Sequence, residues 1–288
     1  MNYALSWNCR GLGNTSAVNA LKNVVFLEKP QLLFLSETRL KSNEMEKIKV
    51  KMKFNNMVPV CCDGVGRKRS GGVALLWKDT LDVEIKSFSL NHIDAWVEWG
   101  SNIRWRFTGI YGHHEEENKH KTGLLLENLH SKHSGPWICG GALNLMLTSD
   151  EKKGGKEFNL VEAEIMRNVV NVCELEDLGY LGHPFTWTNN RGGEKNVQER
   201  LDRFLENKEW RQLFSGAFVT HLSKRKSDHV PILLCISDGV GKAKKKKFKK
   251  RFKFEEMWLR EEMCADIVEN ALSRGGDICS KIAHTSII

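Results

Sequence analysis

The stretch PWICGGALNLML, residues 136–147, decides the fold that the sequence predicts. Its apolar run over residues 137–139 predicts a short buried strand, and the Gly140-Gly141 pair predicts a tight turn directly after it. Asn144 is the polar side chain at the exit of that turn. Because loops carry chemistry on the rigid scaffold of an α/β fold, we expect this turn to lie at a functional site.

Helical and extended patterns alternate along the residues around this stretch. Residues 16–30 predict a helix that begins at a capping serine, Ser16, and ends at Pro30. The apolar run that follows, within residues 31–40, predicts a strand buried on both faces. Residues 81–111 alternate polar and apolar side chains with period two, which is typical of antiparallel strands. The sequence therefore predicts an α/β fold with mixed sheets.

The composition of the 288 residues restricts the class of protein. With 41% hydrophobic residues the chain can bury a sizeable core, which excludes wholesale disorder. No apolar run approaches the ~20 residues that a membrane span needs, so no membrane partner is expected. The start of the chain lacks the layout of a signal peptide, and the eight cysteines form no C-x-x-C pair. Buried thiols in a reducing compartment, the nucleus or the cytoplasm, are favoured over a zinc site.

The positive charge of the chain is concentrated in one tract. Nine of the 44 lysines and arginines lie within residues 242–253, which leaves 35 basic residues against 36 acidic ones elsewhere. A solvated linker, a phosphate-binding arm and a nuclear address are all compatible with such a tract, and a linker that also contacts nucleic acid is favoured. The predicted organisation is a body over residues 1–237, a basic linker over 238–253 and a helical segment over 254–288.

Polar residues stand at the ends of several predicted strands. Taken singly, each is explained as a cap, a turn former or a tyrosine at the edge of the core. Taken in order, the motifs WNCRGLG, LSETRL, GGVALLW, GIYG, GGALN, PFTWTN, RLDRFL and SDHVPI resemble the successive signatures of the endonuclease/exonuclease/phosphatase superfamily. The residues within these motifs most resemble those of the endonuclease domains of plant LINE-type (non-LTR) retrotransposons. The resemblance covers residues 1–237, and residues 252–262 resemble the start of a connector to a reverse transcriptase domain, which is absent from this chain.

This resemblance implies a fold and a chemistry. The fold is a DNase I-like, four-layer α/β sandwich of two mixed β-sheets flanked by helices. The activity is hydrolysis of phosphodiesters in DNA, with Mg²⁺, or alternatively Mn²⁺, polarising the phosphoryl oxygen. No small-molecule cofactor is implied.

The resemblance also implies a metal site. Glu37 matches the main Mg²⁺ ligand of the family, and a hard cation prefers such carboxylate oxygens. Asn8 and Asp228 match residues that line the metal and phosphate site. Arg10 stands where abasic endonucleases carry an acid, which departs from them and fits the retrotransposon branch.

A second group of matching residues would act on the phosphate. Asp202 and His229 match a family pair in which the aspartate orients the imidazole against the scissile phosphate. The residues that match hydrogen-bonding partners of the phosphate or of the attacking water are Tyr111, Asn144 and Thr186. The alternative for Thr186 is an ordinary strand threonine.

The family signature is broken at the glycine turn. The family has Gly-Asp-(Phe/Leu)-Asn there, and its aspartate activates or orients the nucleophilic water. With Asn144 in register, Ala142 takes the aspartate position, and a shift of one residue places Gly141 there instead. Loss of a general base costs ~10²–10⁴ in rate. The predicted function is therefore an impaired DNA endonuclease, with an inactive nucleic-acid-binding relic and a phosphatase of the same superfamily as alternatives.

Overall fold

The computed structural model describes residues 2–237 except 101–102. The predicted basic linker and the predicted helical segment, residues 238–288, lie outside the described residues. The strands are numbered β1 to β15 and the helices α1 to α5 in chain order.

Two six-stranded sheets form the centre of the described part of the chain. Parallel and antiparallel pairs occur in both, so both sheets are mixed. The first sheet has the order β14 (Phe218–His221), β15 (Ile232–Ile236), β1 (Asn2–Asn8), β2 (Leu32–Ser36), β4 (Val73–Trp77) and β3 (Asn56–Val60). The second has the order β10 (Leu175–Asp177), β13 (Asp202–Asn207), β8 (Trp137–Ala142), β7 (Ile103–Tyr111), β6 (His92–Trp99) and β5 (Leu81–Ser89).

Four helices cover the outer faces of the two sheets, and a fifth, short helix packs into the core between them. The helices are α1 (Thr15–Glu28), α2 (Ser42–Met52), α3 (Lys119–Lys132), α4 (Leu160–Val172) and α5 (Lys208–Leu213). One buried cluster joins the first sheet to α1 and α2, and another joins the second sheet to α3 and α4. A third cluster fills the space between the sheets, where Phe34 of β2 meets Phe107 of β7. The predicted four-layer α/β sandwich is confirmed.

Three details differ from the sequence prediction. The Gly140-Gly141 pair, predicted to form a tight turn, continues β8 as far as Ala142, because both glycines are paired with the neighbouring strands. The cap of α1 is Asn14, whose side chain accepts a 2.8 Å hydrogen bond from the backbone N–H of Ala17, because Ser16 already lies within the first helical turn. A small third sheet also forms from β9 (Lys152–Lys153), β12 (Gln198–Glu199) and β11 (Trp187–Thr188). Its two-residue strands are too short to produce a recognisable period in the sequence.

Glycine at two neighbouring positions makes room for two aromatic rings, one from the opposite sheet and one from the adjacent strand of the same sheet. Gly109 of β7 lies opposite Gly140 of β8, and a Cβ atom at either position would come within 2.2 Å of a phenylalanine ring. The rings belong to Phe34 for Gly109 and to Phe204 for Gly140.

None of the helices in the described part of the chain has the length and apolar content of a membrane span.

Candidate active site

The predicted site residues meet at one end of the two sheets. Strands β1 and β2 run parallel, and so do β7 and β8, so the carboxyl ends of each pair lie side by side. Asn8 ends β1, Glu37 follows β2 and Tyr111 ends β7. In α/β folds this edge is where ligands bind, because the loops after the strands converge there.

Ala142 lies in a cross-strand row between two of the predicted site residues. It is paired with Tyr111 of β7 on one side and with Asp202 of β13 on the other. The next row on the same face of the sheet, one residue pair further along, consists of Gly109, Gly140 and Phe204. This row faces the core between the sheets. Because strand side chains alternate, Ala142 shares that inner face and continues it into the site.

The backbone at Gly141, one of the two positions that the sequence offers for the family aspartate, leaves no room for a side chain. Gly141 has a φ of +145°, and a Cβ atom on it would come within 2.1 Å of the carbonyl oxygen of Ile110. A side chain of any kind is therefore excluded at this position. Ala142, paired with Tyr111 and Asp202, is the position of the two where a side chain is present.

Asp202 and His229 form a buried pair. Nδ1 of His229 lies 2.7 Å from Oδ2 of Asp202, and both side chains are almost completely buried. This contact leaves Nε2 of His229 directed toward Nδ2 of Asn8, 3.5 Å away. Burial lowers the pKa of His229, but the charge and hydrogen bond of Asp202 raise it more, so the net pKa lies above its usual value. The pair therefore has the arrangement of a histidine oriented by a carboxylate.

The hydroxyl of Thr186 is directed at the backbone of β13. Its hydroxyl oxygen accepts 2.9 Å hydrogen bonds from the backbone N–H groups of Leu201 and Asp202, and the side chain is fully buried. Both contacts fix the start of β13, and hence the position of the Asp202 carboxylate. Thr186 is thus placed to support the pair rather than to meet a phosphate.

Glu37 is surrounded by nitrogen donors. Its Oε1 accepts hydrogen bonds from Nδ2 of Asn8 at 3.0 Å and from Nη1 of Arg10 at 3.1 Å, and its Oε2 accepts from Nη2 of Arg39 at 3.1 Å. Burial raises the pKa of this carboxyl, but the hydrogen bonds from Asn8, Arg10 and Arg39 outweigh burial and lower it overall. Glu37 is therefore held as a carboxylate.

Asp228 is joined to Glu37 through one arginine. Nε of Arg10 lies 3.2 Å from Oδ1 of Asp228, and the indole N–H of Trp187 donates to Oδ2 at 3.1 Å. The hydroxyl of Ser227 donates to the backbone carbonyl of Asn8 at 2.7 Å, which ties this loop to the end of β1. Arg10 thus bridges the two carboxylates that were predicted to bind a metal.

The implied divalent ion does not fit this arrangement of donors. Every carboxylate oxygen of Glu37 and Asp228 already accepts a hydrogen bond or ion pair from an N–H group. The charges of Arg10 and Arg39 balance those of the two acids. Among the described residues, no group of three or more histidine, cysteine, aspartate and glutamate side chains is arranged to hold a metal ion.

The phenol of Tyr111 lies beside the Glu37 carboxylate, and Asn144 stands in the loop after β8. Burial, followed by the nearby Glu37 carboxylate, raises the pKa of the Tyr111 phenol above its usual value, so the phenol stays protonated at neutral pH. Nδ2 of Asn144 donates a 2.7 Å hydrogen bond to the carbonyl of Gly112, and Asn144 has a φ of +56°. Asn144 therefore closes the loop after β8 against the loop after β7.

Backbone strain is concentrated around this site. Non-glycine residues rarely adopt a positive φ, and such residues collect where function requires them. Four of the residues with this conformation belong to the site: Arg10, Glu37, Arg39 and Asn144. Three contacting residues, Arg39, Trp187 and Ser227, were not predicted individually, although each lies inside a quoted motif: LSETRL, PFTWTN or SDHVPI.

The loop that carries Thr186 and Trp187 is held by a buried histidine. Nδ1 of His221, at the end of β14, lies 2.7 Å from the carbonyl oxygen of His183, and its ring stacks on Tyr180 with 4.5 Å between centroids. Burial lowers the pKa of His221 to about 4, so this ring is neutral in the folded protein.

The neutral state of His221 predicts a loss of stability in mild acid. In the unfolded chain His221 takes up a proton below about pH 6.5, whereas in the folded chain it does so only near pH 4. The free energy of unfolding therefore decreases as the pH is lowered from about 6.5 to about 4. Between pH 7 and 4.5 the wild type should lose about 2 kcal/mol more than His221→Gln, measured by urea unfolding. Equal losses in the two proteins would contradict the assignment.

The sequence of this chain matches one known protein family. The model of the endonuclease/exonuclease/phosphatase family matches residues 5–229. No curated protein sequence matches the chain.

Three solved structures are similar in fold at low sequence identity. The endonuclease domain of TRAS1, a telomere-specific non-LTR retrotransposon, is 16% identical with a TM-score of 0.61 over 82% of this chain and 98% of its own. A 3′ phosphatase from Neisseria bound to a product DNA hairpin is 17% identical with a TM-score of 0.61 over 82% of this chain and 100% of its own. An AP endonuclease from Leishmania major is 16% identical with a TM-score of 0.59 over 81% of this chain and 86% of its own.

The family match extends from the core of β1 to His229 and so includes most of the chain. The motifs that suggested this ancestry in the sequence lie, in the same order, on the elements described above. The chain therefore belongs to the endonuclease/exonuclease/phosphatase family.

Proposed function

We propose that this chain is a DNA-directed phosphodiester hydrolase of the retrotransposon-endonuclease type, with a hydrolytic step impaired at position 142. The single observation that carries the proposal is the row Tyr111–Ala142–Asp202, which faces His229 and Glu37 at the end of the sheets. The row retains a phenol donor and the carboxylate that orients the histidine. At its centre it lacks a group able to take a proton from water.

The remaining residues retain defined chemical roles. Nε2 of His229 is directed into the site and, with its raised pKa, can give a proton or a positive charge to a phosphate oxygen. Tyr111 keeps its proton and can donate it in a hydrogen bond. What is missing is activation of the nucleophile, so we expect a phosphodiester to be bound and oriented but hydrolysed slowly.

Several features favour DNA as the substrate and a retrotransposon element as the origin. The motifs WNCRGLG and PFTWTN resemble those of LINE-type endonucleases, and TRAS1 is among the structures of similar fold. The Neisseria phosphatase of similar fold is bound to DNA in its own structure. The basic tract over residues 242–253 would add phosphate contacts whose strength falls with salt.

The test is a plasmid-nicking comparison of wild type with Ala142→Asp in Mg²⁺ buffer. The substitution is expected to raise the nicking rate, and a general base contributes up to ~10²–10⁴ where the rest of the site is in place. Asp202→Asn in the Ala142→Asp background is the control, because it removes the orientation of His229 and should abolish the gain. Efficient nicking by the wild type that Glu37→Ala leaves intact would contradict the assignment of the site.

A second candidate function is DNA binding without hydrolysis. It is favoured by Arg10 and Arg39, whose side chains are 43% and 41% exposed beside the site and bear guanidinium groups suited to phosphate oxygens. Under this alternative, Ala142→Asp would bind DNA as the wild type does and would nick no faster.

A further inference from the structure

One guanidinium lies between the two acids at the floor of the site. Nη1 of Arg10 is 3.1 Å from Oε1 and 3.3 Å from Oε2 of Glu37, and Nε of the same group is 3.2 Å from Oδ1 of Asp228. Arg10 therefore uses two different nitrogens on two different carboxylates. The acids belong to different parts of the chain, one after β2 and the other before β15, and this guanidinium links them.

The other contacts of these acids complete the same pattern. Oε2 of Glu37 also accepts from Arg39, and Oδ2 of Asp228 accepts from the indole of Trp187. The side chains of Glu37 and Asp228 are only 6% and 15% exposed, so little water competes for their oxygens. A divalent ion binding to both acids would need oxygens that are already occupied, and would have to approach the fixed positive charge of Arg10.

The charge on Arg10 is permanent. A guanidinium stays protonated over the whole pH range in which proteins are folded. The backbone of Arg10 is also held in place: its φ is +51°, and its N–H donates a hydrogen bond to Oδ1 of Asn8 at 3.3 Å. Arg10 cannot give up its charge to admit a metal; it would have to move.

We propose that Arg10 is the resident cation of this site, occupying the position between Glu37 and Asp228 so that divalent ions bind there only weakly. This deepens the proposed function by naming the cation that the site uses. Binding of a metal ion requires neither DNA nor turnover, so a failure of this proposal is distinguishable from a failure of the proposed function.

The test is titration of the full chain with Mn²⁺, followed by the electron paramagnetic resonance signal of the free ion. Arg10→Ala and Arg10→Gln remove the charge, the second with retention of a polar side chain. Each is expected to bind one Mn²⁺ at least about tenfold more tightly than the wild type, because a tenfold change corresponds to the loss of one charge-assisted contact. Adding Glu37→Gln should abolish the new site, which distinguishes it from binding to surface carboxylates.

Arg39→Ala is the matched control. It removes a guanidinium of similar exposure that contacts Glu37 but has no ion pair with Asp228, so its gain in Mn²⁺ affinity should be clearly smaller than that of the Arg10 variants. The thermal midpoint should rise with Mn²⁺ in the two Arg10 variants and not in the wild type, which also verifies that the variants fold. Equal Mn²⁺ affinity in wild type and both Arg10 variants, or an equal gain in Arg39→Ala, would overturn the proposal.

Discussion

The double variant Arg10→Ala/Ala142→Asp should nick supercoiled plasmid in Mg²⁺ at least ~10²-fold faster than the wild type. One substitution removes the guanidinium from between Glu37 and Asp228, and the other places a carboxylate between Tyr111 and Asp202. Residues that act as a unit in catalysis have strongly non-additive effects. The gain of the double variant should therefore exceed the product of the gains of the two single variants.

The measurement compares initial nicking rates of the wild type, the two single variants and the double variant. Arg39→Ala/Ala142→Asp serves as the matched control, because it also removes one guanidinium from Glu37 but leaves the bridge by Arg10 in place. It should nick no faster than Ala142→Asp alone. A double variant no faster than Ala142→Asp would contradict a joint role for positions 10 and 142.

Arg203→Ala should reduce the free energy of unfolding by about 3 kcal/mol or more. The side chain of Arg203 is fully buried, and its guanidinium contacts Glu151 at 2.7 Å and Asp177 at 2.9 Å. It also donates to the carbonyl of Leu145 at 3.3 Å, in the loop that follows β8. Its removal leaves the two buried carboxylates with one partner fewer, and among the described residues Arg200 is then the side chain that contacts both.

The measurement is equilibrium unfolding in urea. Lys49→Ala is the control, since Lys49 pairs with the exposed Glu46 on one face of α2 and such surface pairs contribute about 0.3–0.5 kcal/mol. A loss in Arg203→Ala no greater than in Lys49→Ala would mean that this buried network does not stabilise the loop after β8.

The fold could be predicted because its main elements have strong periods. The alternation over residues 81–111 corresponds to β5, β6 and β7, and the apolar run before Glu37 corresponds to β2. Helix caps were less predictable: Ser16 and Asn14 are both good caps, and only the backbone conformation selects Asn14. The two-residue strands of the third sheet are fixed by tertiary contacts rather than by local preference.

The residues of the candidate site were predictable as a group, whereas their individual roles were not. Asn8, Glu37 and Tyr111 stand at strand ends, a position that the sequence reveals. The direction of a side chain depends on its neighbours in space: the hydroxyl of Thr186 faces the backbone of β13, and Arg10 faces inward to two acids. The choice between Ala142 and Gly141 likewise required the distance from Gly141 to the carbonyl of Ile110.

The contact between Gly109 and Phe34 connects the core between the sheets to the positions of two site residues. The ring of Phe34 rests against Gly109, and the chain continues from Phe34 to Glu37 and from Gly109 to Tyr111 within three residues. The separation of Glu37 from the Tyr111 phenol is thus set by how deeply one aromatic ring sits in the opposite sheet. A change that pushes the sheets apart would therefore lengthen the distance between the Glu37 carboxylate and the Tyr111 phenol. The alignment of these two side chains depends in this way on the packing of the core beneath them.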